Sequence, residues 1–194
     1  MRKGEELTFC YEPELLYMTT EQRDEHIRRE MGVEKCACDH CAKPGRELLV
    51  SDMRRRMLRG LFCWFYGADL PSFEARGEER PQLSASDVSE VQRCAVFACL
   101  LEAEGVLGSR DLQVQFLTAA QYLIEEFRRT GGLVMPKRQL ALIRFWVARA
   151  RWMKFLAVGY DVYRDELESG LEATSKDIRR FLEAGGDFRA MRRR

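Results

Sequence analysis

Asp111-Leu112-Gln113-Val114-Gln115-Phe116-Leu117-Thr118-Ala119-Ala120-Gln121-Tyr122-Leu123-Ile124-Glu125-Glu126-Phe127 is the run whose reading decides the fold class. Leu112, Phe116, Ala119, Leu123 and Phe127 recur three and four residues apart, so they share one face of a helix and give it an apolar stripe that needs a partner. Upstream, Val88, Val91, Ala95, Ala98 and Cys99 trace a second face, with Asp87 and Glu90 as a capping pair at its start. Downstream, Pro136 stands where the first turn of a helix tolerates proline. It opens a segment bearing Leu140, Ile143, Val147 and Ala150, a stripe widened by Leu142, Trp146 and Met153. Leu167, Leu171, Ile178 and Leu182 mark a last helix. Gly105, Gly132, Gly159 and Gly186 fall at a constant interval, each near a helix end. That regularity predicts four helices of matched length joined by short turns, hence antiparallel neighbours. No repeat consensus accompanies it, so the expected fold is mainly α, a bundle or an array of helical hairpins. The stripe around Trp146 and Trp152 is wide enough to suggest a ligand groove, but stripes at helical spacing are usually core and it is read as core. Cys63, Cys94 and Cys99, in apolar surroundings, read as buried small hydrophobes.

The N-terminal quarter has another character. Gly4-Glu5-Glu6-Leu7-Thr8-Phe9-Cys10-Tyr11 alternates Leu7, Phe9 and Tyr11 with Thr8 and Cys10, the period of a short half-buried strand. Thr19 or Thr20 then caps a charge-rich helix over roughly residues 20–31, with Ile27 and Met31 as its apolar pair and Gly32 at its end. His26 within it reads as a solvated surface histidine. Next comes Cys36-Ala37-Cys38-Asp39-His40-Cys41, in which the spacings of two and three residues between Cys36, Cys38 and Cys41 suit metal ligation better than disulfides. Thiolates so spaced can wrap one zinc ion, which takes four nitrogen or sulfur ligands. For the fourth ligand Cys10 and His40 are both open. Pro44-Gly45 closes this region with a turn, and residues 46–50 are the expected boundary. Ser51 or Asp52 caps a helix to about Tyr66, with Arg54, Arg55, Arg56 and Arg59 crowding its first turns. They are expected to pair acidic neighbours while Leu58, Leu61 and the aromatic end pack inward. Residues 67–85 read as a polar, mobile loop.

Composition narrows the function. A chain of 194 residues can bury a sizeable core, and 46% apolar residues fit a globular protein. Its 32 basic and 31 acidic side chains cancel to +1, so no general attraction to nucleic acid or to a membrane surface is expected. No stretch reaches the roughly 18–20 apolar residues of a membrane span. Met1-Arg2-Lys3-Gly4-Glu5-Glu6 lacks the apolar core of a signal peptide, and seven cysteines, three of them clustered, suit a reducing compartment. The expected location is intracellular, in nucleus or cytoplasm.

The order of these features resembles a known family. Gly4-Glu5-Glu6-Leu7-Thr8 leading to Tyr11, then Arg23 and Ile27 on a helix, Gly32, and Cys36-x-Cys38-x2-Cys41 resemble the C-terminal end of a SET methyltransferase domain with its post-SET zinc motif. The arrangement is most similar to SET-and-MYND-type and fungal SET proteins, which carry a helical domain after that motif. The resemblance covers roughly residues 1–50. It implies kinship with protein-lysine N-methyltransferases that use S-adenosylmethionine, with Tyr11 as the catalytic tyrosine lining the lysine channel. It also implies Cys36, Cys38 and Cys41 as zinc ligands, a TPR-like helical tail, and a protein or peptide as substrate or partner.

The chain also departs from the pattern. In the family a Gly-x-Gly motif and an Asn-His-x-Cys segment precede the tyrosine strand; here ten residues precede Tyr11 and the sequence contains no Asn. That upstream segment supplies much of the S-adenosylmethionine pocket and the fourth zinc cysteine. The chain is therefore expected to correspond to the tail of such an enzyme, inactive alone, with the cofactor bound only where an upstream SET segment is present. Gly32-Val33-Glu34-Lys35-Cys36 also lacks the aromatic of the family's Gly-Phe-x-Cys. The alternative is a non-catalytic helical protein-interaction module with a structural SET remnant. Either way the expected organisation is residues 1–50 as the end of SET with the cysteine cluster, then 51–194 as the helical domain.

Overall fold

The computed structural model describes residues 13–38, 40–82, 88–106, 110–158 and 168–191. The chain divides into two compact units, Met1–Leu83 and Ser84–Arg194. Among the described residues both are helical, and the only extended pairing is an isolated bridge between Val134 and Asp187. The mainly α class is as expected. The strand expected over Leu7–Tyr11 lies outside the described residues.

The described part of the first unit begins with a 3-10 turn, Pro13–Tyr17, followed by α1 (Thr20–Met31), α2 (Gly45–Tyr66) and the short α3 (Pro71–Ala75). Thr19 caps α1: its hydroxyl accepts from the Gln22 N–H, and the Gln22 carboxamide accepts from the Thr19 N–H at 3.0 Å. Gly32, at φ 69°, ends the helix in the left-handed conformation that costs glycine least. Arg23, His26 and Ile27 lie at i, i+3 and i+4 and are all buried, so His26 is not the solvated histidine expected. The inward face of α1 is built largely from polar side chains, which hid it from a hydrophobic pattern.

α2 starts six residues ahead of the expected cap at Ser51, with Pro44 in the N-cap position. Ser51 is buried inside the helix, and Asp52 caps a different helix. Its carboxylate accepts from the Thr20 N–H at 2.8 Å and the Thr20 hydroxyl at 3.0 Å, tying the start of α1 to α2.

The segment after α2 corrects the expectation of a polar loop. Arg59 donates from Nε and Nη2 to the Asp69 carboxylate, at 3.2 and 2.6 Å, and from Nη1 to Glu78 at 2.7 Å. Its guanidinium lies 3.8 Å from the centre of the Phe73 ring, with Arg76 on the same ring at 4.6 Å. Phe73, Leu70 and Asp69 are buried. Arg80 adds a bond to the Cys63 carbonyl at 2.7 Å. Residues 67–82 thus pack on α2, and the boundary falls near 83 rather than near 50. The expected pairing of α2 arginines with acidic neighbours holds for Arg59.

The second unit contains α4 (Glu90–Ala103), α5 (Arg110–Arg129), α6 (Lys137–Val158), α7 (Glu168–Glu183) and α8 (Phe188–Met191). α5 packs against α4 and α6 and, less extensively, α7. Leu112, Phe116, Ala119 and Leu123 are buried as their spacing predicts, and so are Leu140, Ile143, Trp146, Val147, Ala150 and Met153 on α6. Leu142 and Trp152 are not core: both are exposed. On α4 the buried face is Cys94, Phe97, Ala98 and Leu101, rotated from the expected one, which leaves Val88 and Cys99 exposed. Its cap is Ser89 with Gln92, in place of Asp87 with Glu90. At the end of α5 the left-handed residue is Gly131, φ 76°, while a Cβ on Gly132 would lie 2.2 Å from the Phe127 ring. Arg149 of α6 reaches Glu102 of α4, its Nε at 3.1 Å. No helix among the described residues is long and apolar enough to cross a membrane.

The Arg59–Asp69 pair makes stability depend on pH in a definite direction. Burial alone would raise the Asp69 carboxyl, but hydrogen bonds from Arg59 and from the Leu70 N–H overcome it and hold it below its ordinary 3.8. In the unfolded chain the group protonates near 3.8, so its stabilisation is complete above that value and is lost as pH falls through the lower folded-state pKa. Urea midpoints measured from about pH 5 down to about pH 3 should therefore fall more steeply for the native chain than for Asp69→Asn.

Candidate metal centre

Once Gly32 has ended α1, the chain returns along that helix, and the Asp24 carboxylate catches it by accepting from the Cys36 N–H at 2.8 Å. A tight turn follows, in which the Ala42 N–H donates to the Cys38 carbonyl at 2.9 Å. These two fixings bring the thiols of Cys36, Cys38 and Cys41 together, with all three sulfurs within 4.8 Å of one another. Each of the three residues is half-buried. Zinc–sulfur bonds of about 2.3 Å in tetrahedral array place sulfurs roughly 3.8 Å apart, so the cluster needs little adjustment to close on an ion.

Arg23 of α1 completes the arrangement. Its side chain is buried, with Nη1 3.2 Å from the Cys38 sulfur and 3.5 Å from that of Cys41. Nε and Nη2 both donate to the Leu15 carbonyl, at 3.0 and 2.6 Å. A fixed positive charge therefore faces sulfurs that bear negative charge when they bind a metal. The thiols respond unequally. Burial works against ionisation of Cys38, yet hydrogen bonds from the Cys41 and His40 backbone and from the neighbouring thiols draw it down to about 7. At Cys41 burial raises the pKa, Arg23 opposes it, and the hydrogen bond and charge of Cys38 add to the rise, leaving it at about 12. Cys38 is thus the readier of the two to ionise near neutrality, and a divalent ion has to displace the proton of Cys41.

The three expected ligands are brought together, and among the described residues they are the group able to hold a metal ion. His40 does not join them; its Nδ1 lies 3.0 Å from the Lys43 ammonium. Cys10, the other candidate for a fourth ligand, lies outside the described residues, as does Tyr11. Tyr17 is core, buried and edge-on to Phe62 at 5.1 Å. Cys63 and Cys94 are buried apart from the cluster: burial and the Asp69 carboxylate, which accepts from the Cys63 thiol at 3.2 Å, push Cys63 up to about 11 against the opposing charges of Arg59 and Arg80, and burial with the Glu90 charge pushes Cys94 up to about 12. The parts that sequence reading missed are the roles of Arg23 and Asp24. Both stand early in the helix before the cluster, and their contacts exist only because that helix and the returning loop lie side by side.

Set against protein-family models, curated proteins and solved structures, the chain matches none of them.

The geometry makes a direct prediction for the reduced protein. Zinc should shield Cys36, Cys38 and Cys41 from alkylation, while the exposed Cys99 reacts equally with and without it. Peptide mass mapping after brief iodoacetamide treatment reads both classes of thiol in one sample.

Proposed function

We propose that the first unit holds a zinc ion through Cys36, Cys38 and Cys41 and is the post-SET element of a SET-family protein, similar to protein-lysine N-methyltransferases that use S-adenosylmethionine. The convergence of the three sulfurs behind a helix that presents Arg23 to them carries this reading. Three soft sulfur donors favour zinc over calcium or magnesium, which take oxygen ligands. The metal's role here is structural: it cross-links a loop that has no apolar core of its own. Tyr11 is the residue that would order the substrate amine. A phenol suits that task because it is polar yet uncharged near neutral pH. The methyl donor is another matter. The sequence holds neither a Gly-x-Gly nor any Asn, so the residues present do not supply the family's cofactor pocket, and no step is assigned to S-adenosylmethionine in these 194 residues.

Metal analysis of protein purified under reducing conditions tests the first half. One zinc ion per chain is expected, lost in Cys38→Ser and in Cys41→Ser. Calorimetry with S-adenosylmethionine tests the second. Binding should be absent for the 194-residue chain and present in a form that carries an upstream SET segment. Zinc without cofactor binding in both forms would leave a metal-pinned module and remove the methyltransferase kinship.

A second reading, an interaction module, is favoured by α6. This helix carries Lys137, Arg138, Arg144, Arg149, Arg151 and Lys154 and no acidic residue. Leu142, Phe145 and Trp152 are exposed on it by 41, 56 and 51%. Arg138, Leu142, Phe145, Arg149 and Trp152 alternate at four and three residues, the seam along which a second helix packs. Such a face fits an acidic amphipathic helix of a partner protein. A Glu-rich amphipathic peptide with a fluorescent label should bind, and Phe145→Ala with Trp152→Ala should weaken it by more than about 10-fold. Preference for a single-stranded oligonucleotide of equal charge would overturn this reading.

A further inference from the structure

We propose that Arg23 links metal loading at the cysteine cluster to the position of the 3-10 turn Pro13–Tyr17, an inference that rests on the metal-holding reading above. One guanidinium serves both sites. Nη1 faces the Cys38 and Cys41 sulfurs at 3.2 and 3.5 Å, while Nε and Nη2 clamp the Leu15 carbonyl at 3.0 and 2.6 Å. The group is planar and its donors are fixed in a fork, so a shift of the sulfurs moves the donors offered to Leu15. It is also buried, and a buried charge needs its partners. Three thiolates on a divalent ion leave a net negative charge, which Arg23 offsets. An ion that draws the sulfurs closer to one another shifts the acceptors that Nη1 faces, while Nε and Nη2 stay on the Leu15 carbonyl.

The turn held by this clamp is a junction in the first unit. The Met18 carbonyl, next to it, accepts from Arg55 of α2 at 3.1 Å, and the Glu14 carboxylate accepts from the Ser72 N–H at 3.0 Å. Thr19 and Thr20, which follow, carry the cap of α1 and its tie to Asp52. A change in metal occupancy therefore has a physical route to the segment that leads into α1. Arg23 is a positioning residue in this scheme. A lysine in its place keeps the charge but cannot span the sulfurs and the carbonyl together.

Zinc affinity by competition with a chromophoric chelator, and amide hydrogen exchange over residues 16–20 with and without EDTA, test the link together on the full chain. In the native protein EDTA should speed exchange over 16–20. In Arg23→Gln exchange there should be fast whether or not zinc is present, and zinc affinity should drop by about 10–100-fold. Arg23→Lys should behave nearly as Arg23→Gln, and Arg28→Gln, an exposed change on the same helix, as the native chain. Native affinity in a folded Arg23→Gln, or exchange over 16–20 that ignores EDTA in the native chain, would overturn the link and leave the metal site standing. Failure of the native chain to bind zinc at all would remove the metal reading itself. Should Arg23→Gln not fold, the EDTA dependence of the native chain decides alone.

Discussion

The first unit depends on buried guanidinium groups. Arg23, Arg55 and Arg59 occupy the interior positions where apolar side chains would ordinarily sit. A buried cation without partners costs several kcal/mol, so each has to find a full set of acceptors. Leu15 and two cysteine sulfurs take Arg23, the Met18 carbonyl takes Arg55, and Asp69, Glu78 and the Glu79 carbonyl take Arg59. These acceptors come from three separate segments, the turn with Met18, the cysteine loop and residues 67–82. Satisfying all of them at once leaves few alternative arrangements of the turn, α1, α2 and residues 67–82. Polar contacts here supply the specificity that side-chain packing supplies elsewhere.

Among the described residues the apolar core of this unit is small, with Tyr17, Met18, Ile27, Leu58, Leu61, Leu70 and Phe73 as its main members. Units with little core commonly rely on a metal or other cross-link. The cysteine cluster fits that need, because the described residues among 33–43 contain no helix or strand and bury no large apolar side chain. Its attachment to α1 through Asp24 and Arg23 is polar as well. The second unit is held differently. There α5 lays one continuous stripe between neighbours, and ion pairs such as Arg149–Glu102 lie at the half-exposed margin.

The legible parts of the chain were those governed by period. Leu112, Phe116, Ala119 and Leu123 on α5, and Leu140, Ile143, Val147 and Ala150 on α6, repeat over enough turns to define one face. The cysteine spacing was legible for a similar reason, since residues two and three apart cannot be far from each other in space. Errors fell where a short or polar signal competed. Residues 67–85 have a loop's composition, yet Asp69 and Glu78 become structural once Arg59 stands opposite them. Asp52 has the chemistry of an N-cap and does cap a helix, though one that precedes it by more than thirty residues in the chain. Leu142, Trp152 and Cys99 belong to apolar helices but face outward, because a helix in a layer buries only the side its neighbours cover.

By itself the sequence determined the helical class, the apolar faces of α5 and α6, and the closeness of three cysteines able to hold a metal ion, because each follows from periods and separations local to the chain. Only the tertiary structure decided that Arg23 and Asp24 serve those cysteines, that residues 67–82 belong to the first unit, and that His26 is interior. Each of these depends on which distant group meets a charged or polar side chain. The energy of a buried charge is set almost wholly by that partner, which no local pattern records.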